Sequence, residues 1–166
     1  NNEKYIIEEL IEISNPNNSN RTIFIFPEGA LAGINLDQLK IFKQMFSEKF
    51  SEKHTIIMGI NTENSNKIFN SMVVLDNKLN LINEYNKIKL VPFGEFLPFE
   101  KFFKKFGLRK VSYGYKSFSS GNDRHLISLD DINFNFIPLI CYEIIYSGKV
   151  NLKEDNTNFI INISED

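Results

Sequence analysis

The feature that most constrains this chain is a series of short runs rich in Ile, Val and Phe, each stopped by turn formers. Thr22-Ile-Phe-Ile-Phe26 reads as a central strand ending in Pro27-Glu28-Gly29, where Pro cannot continue a ladder and Gly opens unusual dihedrals. Residues 54–60 and 70–75 read as two more strands. Asp76-Asn77-Lys78 turns the second of these into residues 79–85, a hairpin. Residues 126–129 and 133–140 flank Asp130-Asp131 as another hairpin, and residues 158–163 read as a buried strand. Helical spacing lies between these runs. Ile6, Ile7, Leu10 and Ile13 share a face over residues 3–13, and the turn formers of residues 15–20 break that helix. Leu36, Leu39, Phe42, Phe46 and Phe50 mark a second helix with Asn35 as its N-cap. Phe99, Phe102, Phe103 and Phe106 predict a short helix stopped by Gly107, and residues 142–146 look like a helix start. Strands alternating with helices in this order fit an α/β layered sandwich.

Charge and cysteine content exclude several classes. Nineteen Lys and Arg stand against 21 Asp and Glu, so the net charge of −2 offers no global attraction for nucleic acid. One cysteine, Cys141, allows neither an internal disulfide nor a multi-cysteine zinc site, and His54 and His125 carry no metal-ligand spacing. No metal or organic cofactor is expected. The apolar runs fall far short of the roughly 18 residues of a spanning helix, and no signal-peptide pattern opens the chain. The first residue is Asn1 rather than Met, and only Ser164-Glu165-Asp166 follow the last strand, so the chain reads as processed or as a piece of something longer.

Three reactive side chains sit at strand ends: Glu28 after residues 22–26, Lys87 after 79–85, and Cys141 after 133–140. Loops leaving strand ends are where layered α/β folds place their chemistry. A thiol whose ordinary pKa is near 8.5 needs a base or a nearby cation to become a nucleophile. Glu28 supplies the base in this reading, and Lys87 lowers the thiol pKa and stabilises an oxyanion. Each residue also has a bland reading: Cys141 as a small buried hydrophobe, Glu28 as a solvated turn residue, Lys87 beside Lys89 as an exposed charge pair.

Local context favours the chemical reading. Phe26-Pro27-Glu28-Gly29 resembles the first catalytic-glutamate motif of the nitrilase, or carbon–nitrogen hydrolase, superfamily. Ile140-Cys141-Tyr142-Glu143-Ile144 resembles its cysteine elbow. Tyr85-Asn-Lys87-Ile-Lys-Leu-Val-Pro-Phe-Gly-Glu95 is similar to the lysine signature of the apolipoprotein N-acyltransferase branch, as is Asn162-Ile-Ser-Glu-Asp166 to a later segment in which Glu165 replaces the usual Asn. The resemblance runs along nearly the whole chain.

It implies a nitrilase-like α-β-β-α sandwich, incomplete at both ends, with residues 1–166 forming a partial carbon–nitrogen hydrolase domain. Glu28 is then general base, Lys87 oxyanion stabiliser and Cys141 nucleophile, with Glu95, Tyr142 and Glu143 in support. One lysine among these carboxylates stays protonated. The implied chemistry moves a phospholipid acyl chain, through a Cys141 thioester, to the N-terminal cysteine amine of a diacylglyceryl apolipoprotein. The implied location is the bacterial inner membrane, with the catalytic domain on the periplasmic side. Phe96, Phe99, Phe102 and Phe103, interleaved with Lys101, Lys104 and Lys105, read as an arm facing a membrane surface. The competing readings are core packing for that arm, a soluble amidase using the same triad with water, and an inactive remnant of a split or degraded gene. The isolated chain is expected to be poorly active.

Overall fold

A computed structural model describes residues 2–96, 117–149, 157 and 159–165. Helix α1 (Asn2–Ser14) precedes strand β1 (Thr22–Phe26). Helix α2 (Leu36–Leu39), a 3₁₀ turn and helix α3 (Lys43–Lys49) follow. Strands β2 (His54–Asn64), β3 (Lys67–Leu75) and β4 (Leu81–Asn86) complete a four-stranded sheet of order β1-β2-β3-β4. A second sheet of order β5-β6-β7 contains β5 (Ile127–Leu129), β6 (Phe134–Ile140) and β7 (Phe159–Ile163).

Alternation along the strands sends side chains to two cores. From β2, Ile56, Met58 and Ile60 pack with Val73 and Leu75 against Ile7, Ile11, Leu39, Phe46 and Phe50 of the helical layer. Their neighbours Ile57, Met72, Val74 and Tyr85 point the other way and meet Ile127, Phe136, Ile140, Ile161 and Ile163 of the second sheet. The layers are therefore helices, sheet, sheet, the mixed α/β architecture expected. Among the described residues, no α-helix lies beyond the second sheet.

Local chemistry explains most boundaries. Asn35 caps α2 through a reciprocal pair: its side chain accepts from Gln38 N, and its own N–H donates to Gln38. The single second helix read from Leu36 to Phe50 is instead two α segments joined by the 3₁₀ turn Lys40–Phe42, and Phe50 is extended at the cap. In α1 the buried pair is Ile7 and Ile11, four residues apart, while Ile13 is 78% exposed, so the apolar face is rotated from the expected one. Strands 54–60 and 70–75 are longer than their apolar runs, forming one hairpin around Ser65-Asn66, both at positive φ (49° and 66°) as a tight two-residue turn requires. The helix expected around Phe99–Phe106 lies outside the described residues.

Strand direction positions the chemistry. β1 runs parallel to β2, while β3 is antiparallel to both β2 and β4, so β1, β2 and β4 all point one way. Glu28 and Lys87 therefore leave the same end of the first sheet. β6 and β7 are likewise parallel, so Cys141 and Ser164 leave one end of the second sheet.

Candidate active site

Glu28 stands two residues past β1, pressed against β2. A Cβ at Gly59 would lie 2.6 Å from the Glu28 Cα and 2.9 Å from Ile163 Cδ1, so only glycine lets this loop sit on the sheet. Gly29 follows at φ +75°, in the left-handed region, and the Glu165 carboxyl carbon lies 2.9 Å from where its Cβ would be. Lys87 begins where β4 ends, its N–H still donating to Asn70 O at 2.9 Å.

The Lys87 side chain is only 1% exposed and does not form the solvent-facing pair with Lys89 that its neighbours allowed. Its Nζ donates to Glu95 Oε1 at 2.9 Å and to Glu28 Oε1 at 3.4 Å. Asn70 of β3 joins the same two oxygens, its Nδ2 donating to Glu28 Oε1 at 2.5 Å and Glu95 Oε1 at 2.8 Å. The other Glu95 oxygen accepts from Val91 N at 2.8 Å, which folds the Leu90–Glu95 loop over the cluster. Two carboxylates thus share one ammonium and one amide.

Cys141 closes the cluster from the other sheet. It follows β6 at φ +53°, a left-handed conformation that an L-residue adopts at a cost of about 1–3 kcal/mol and that projects its side chain off the strand end. The charges of Glu28 and Lys87 and the Tyr142 backbone N–H all act on its thiol.

Electrostatics define the resting protonation. Burial pulls the Lys87 pKa down, but the Glu95 hydrogen bond and the charges of Glu28 and Glu95 outweigh it, and the ammonium is held above its ordinary value. Burial and then the charge of Glu28 push the Cys141 thiol up; Lys87 and the Tyr142 N–H pull it down, without prevailing. Lys87 acts on the thiol in the expected direction, but burial and Glu28 outweigh it.

Glu143 is fully buried, and among the described residues it has no hydrogen bond or ion pair with Lys87 Nζ. Its Oε1 accepts from Ile88 N and Lys89 N, both at 3.0 Å, and its Oε2 from Ile140 N at 3.0 Å. The Tyr85 hydroxyl donates to both oxygens at 2.9 Å, and Arg124 Nη2 lies 3.2 Å from Oε1. One carboxylate therefore ties the chain around Lys87 to the chain around Cys141. Burial and the neighbouring Glu143 hold the Tyr85 phenol above its ordinary range. Tyr142 turns its hydroxyl to Tyr146 at 2.7 Å, so its side chain is not in the Glu28–Lys87 cluster.

Phe96 is half-buried, its carbonyl accepting from Phe93 N at 2.8 Å. Phe99, Phe102 and Phe103 lie outside the described residues. Sequence reading missed Asn70 and Arg124. Asn70 is one of many asparagines, and nothing in its neighbours sets it apart. Arg124 lies in a loop whose partners are distant in sequence. Among the described residues, no group of His, Cys, Asp and Glu is arranged to hold a metal ion, and no helix is long and apolar enough to cross a membrane.

Comparison with known proteins places this geometry. An apolipoprotein N-acyltransferase of Rhizobium leguminosarum bv. trifolii (strain WSM2304) is 31% identical over 159 residues, covering 91% of this chain. The chain spans 29% of that relative's length. Among solved structures, a CN-hydrolase superfamily protein from Xanthomonas campestris superposes with a TM-score of 0.63 at 14% identity, over 99% of this chain and 58% of its own. A glutamine-dependent NAD+ synthetase from Acinetobacter baumannii gives 0.64 at 19% identity, over 98% of this chain and 30% of its own. Both share the fold. The carbon-nitrogen hydrolase family profile matches residues 6–166, and the chain belongs to that family.

Proposed function

We propose that this chain is a partial catalytic domain of an apolipoprotein N-acyltransferase, with Glu28, Lys87 and Cys141 as its catalytic residues. The observation that carries the reading is the placement of Lys87 Nζ, 2.9 Å from Glu95 and 3.4 Å from Glu28, in a cluster whose charges act on the Cys141 thiol. The acyltransferase relative supports the choice of reaction within the family.

In the first half-reaction Cys141 Sγ attacks the ester carbonyl of a phospholipid acyl chain while Glu28 takes the thiol proton. A thiol pushed up by burial and by Glu28 favours transfer during attack over a standing thiolate. Lys87 Nζ and the Tyr142 N–H face the oxygen that becomes negative. Collapse breaks the ester C–O bond, Glu28 returns the proton to the leaving alkoxide, and a lysophospholipid departs. In the second half-reaction the α-amine of a diacylglyceryl-cysteine attacks the thioester. Glu28 takes the ammonium proton and returns it to sulfur as the amide forms. Glu95 and Asn70 hold the ammonium and base in register, and Glu143 sets the distance between the two loops. No cofactor enters these steps.

The partners in this reading are a phospholipid donor, an apolipoprotein acceptor and a membrane surface, on the periplasmic side of the bacterial inner membrane. Water as second nucleophile gives the amidase reading with the same three residues. Single-turnover acylation by a water-soluble ester, chased with either a peptide bearing a free N-terminal amine on an S-alkylated cysteine or buffer, separates the two. Thioester consumed faster by the peptide, with amide as product, supports acyl transfer. Release of free acid at a rate the peptide does not change, together with turnover of small amides, overturns it in favour of hydrolysis.

A further inference from the structure

We propose that Arg124 is a positioning residue of this site, anchoring Glu143 so that the Lys87 strand end and the Cys141 elbow stay in register. The proposal rests on the catalytic reading above.

The directions of the hydrogen bonds carry it. Arg124 Nη2 donates to the Tyr85 oxygen at 3.2 Å, which leaves the Tyr85 proton for Glu143. Ile88 N, Lys89 N and Ile140 N can only donate. Each of these groups therefore directs a hydrogen at Glu143, a surrounding suited to an acceptor-only carboxylate. Among the described residues, Arg124 alone brings a positive charge to Glu143, at 3.2 Å. Its carbon Cζ also lies 5.8 Å from the Tyr85 ring centroid, within cation–π range, so the phenol is held by face and by oxygen. Among the described residues Arg124 Nε is buried with no hydrogen-bond partner. Arg124 touches none of Glu28, Lys87 or Cys141 in the hydrogen bonds and ion pairs of the described residues; its reach is through Glu143 and Tyr85.

Without the guanidinium, Glu143 is a buried carboxylate without a compensating charge, and the two loops it ties are free to separate. Lys87 then moves away from Cys141, and both the thiol's cationic neighbour and the oxyanion donor are displaced.

The test compares Arg124→Met, which keeps the stem without the charge, with Arg124→Lys, which restores charge without the planar fork. Two rates are read for each: alkylation of Cys141 by iodoacetamide at neutral pH, which needs no substrate, and single-turnover acylation by a water-soluble ester. For Arg124→Met, alkylation slows about tenfold and acylation on the order of 100-fold, with little change in ester concentration at half-maximal rate. Arg124→Lys recovers most of both. Rates for Arg124→Met within about twofold of wild type, or equal losses in Met and Lys, overturn the proposal, the second outcome leaving Arg124 as packing for Tyr85. If Arg124→Met does not fold, Arg124→Lys decides: wild-type-like rates support the anchor, and slow rates at an unchanged melting temperature refute it. A wild-type chain that is alkylated but never acylated refutes the catalytic reading, while the alkylation comparison still judges Arg124.

Discussion

Lys87 Nζ donates to Glu95 Oε1 at 2.9 Å from a side chain that is only 1% exposed. A lysine buried to this degree stays charged only because its partners offset the lost hydration, and Glu95 is the first of them. The pair is therefore structural and electrostatic at once. It holds the Leu90–Glu95 loop down, and it keeps an ammonium beside the thiol.

Lys87→Met removes that ammonium and leaves Glu28 and Glu95 facing one another across Asn70. Breaking a buried ion pair from one side costs about 3–5 kcal/mol, to be read as a fall in the chemical-denaturation midpoint, and Cys141 acylation drops on the order of 10³-fold. The sign of the pH dependence also follows. The folded pKa lies above the ordinary 10.5, so the ammonium's contribution is complete below 10.5 and is lost as pH rises through the folded value. The stability gap between wild type and Lys87→Met is therefore flat at neutral pH and narrows only above that point.

Glu28→Gln moves two rates in opposite directions. Burial comes first in raising the thiol pKa, with Glu28 next, and the substitution removes the Glu28 charge while Lys87 remains. Iodoacetamide alkylation of Cys141 near neutral pH accelerates about threefold to tenfold. Ester acylation slows by about 10²- to 10⁴-fold because the proton acceptor is gone. Two rates falling together contradict Glu28 as the base.

Gly59→Ala tests the backbone approach behind the site. The new methyl carbon meets the Glu28 Cα at 2.6 Å, against backbone that cannot swing aside as a side chain does. Overpacking of this kind costs about 1–3 kcal/mol, and displacing Glu28 lowers acylation by about tenfold to 100-fold. Gly33→Ala is the control: nothing lies within 4 Å of its Cβ position, though its φ of +83° strains the substitution. It lowers the melting temperature modestly and leaves acylation of the folded fraction intact.

The strands, the two hairpins around Asp76 and Asp130, and the reactive ends of β1, β4 and β6 were legible because alternation and turn chemistry act over a few residues. The two clusters of side chains were not. Asn70 contacts Glu28 across 42 positions of chain and Glu143 contacts Tyr85 across 58. Nothing local encodes such pairs. Glu143 was readable as important from its place two residues after Cys141, but its role as a tie between loops needed the backbone N–H groups of Ile88 and Lys89 in view. The β2–β3 hairpin was underestimated because Asn61–Asn64, the outer part of β2, is polar, and its pairing with Lys67–Asn70 is imposed by the turn and the neighbouring strands.

Asn70→Asp replaces a donor shared by two carboxylates with a third carboxyl. At neutral pH acylation falls on the order of 100-fold, since three acids crowd one ammonium. Lowering the pH protonates one of them and restores a donor, so the pH optimum of the variant moves down while wild type shows no such gain. Asn70→Ser, which keeps a donor on a shorter arm, loses less.

The central claim is that Cys141 becomes acylated in a cleft shared with Glu28 and Lys87. Intact-mass measurement after single-turnover exposure to an activated acyl ester, followed by peptide mapping, tests it most directly. The account predicts one acyl adduct per chain, located on Cys141, released by hydroxylamine, absent in Cys141→Ala and strongly reduced in Lys87→Met. An adduct that persists in Cys141→Ala, or forms at the wild-type rate without Lys87, contradicts it.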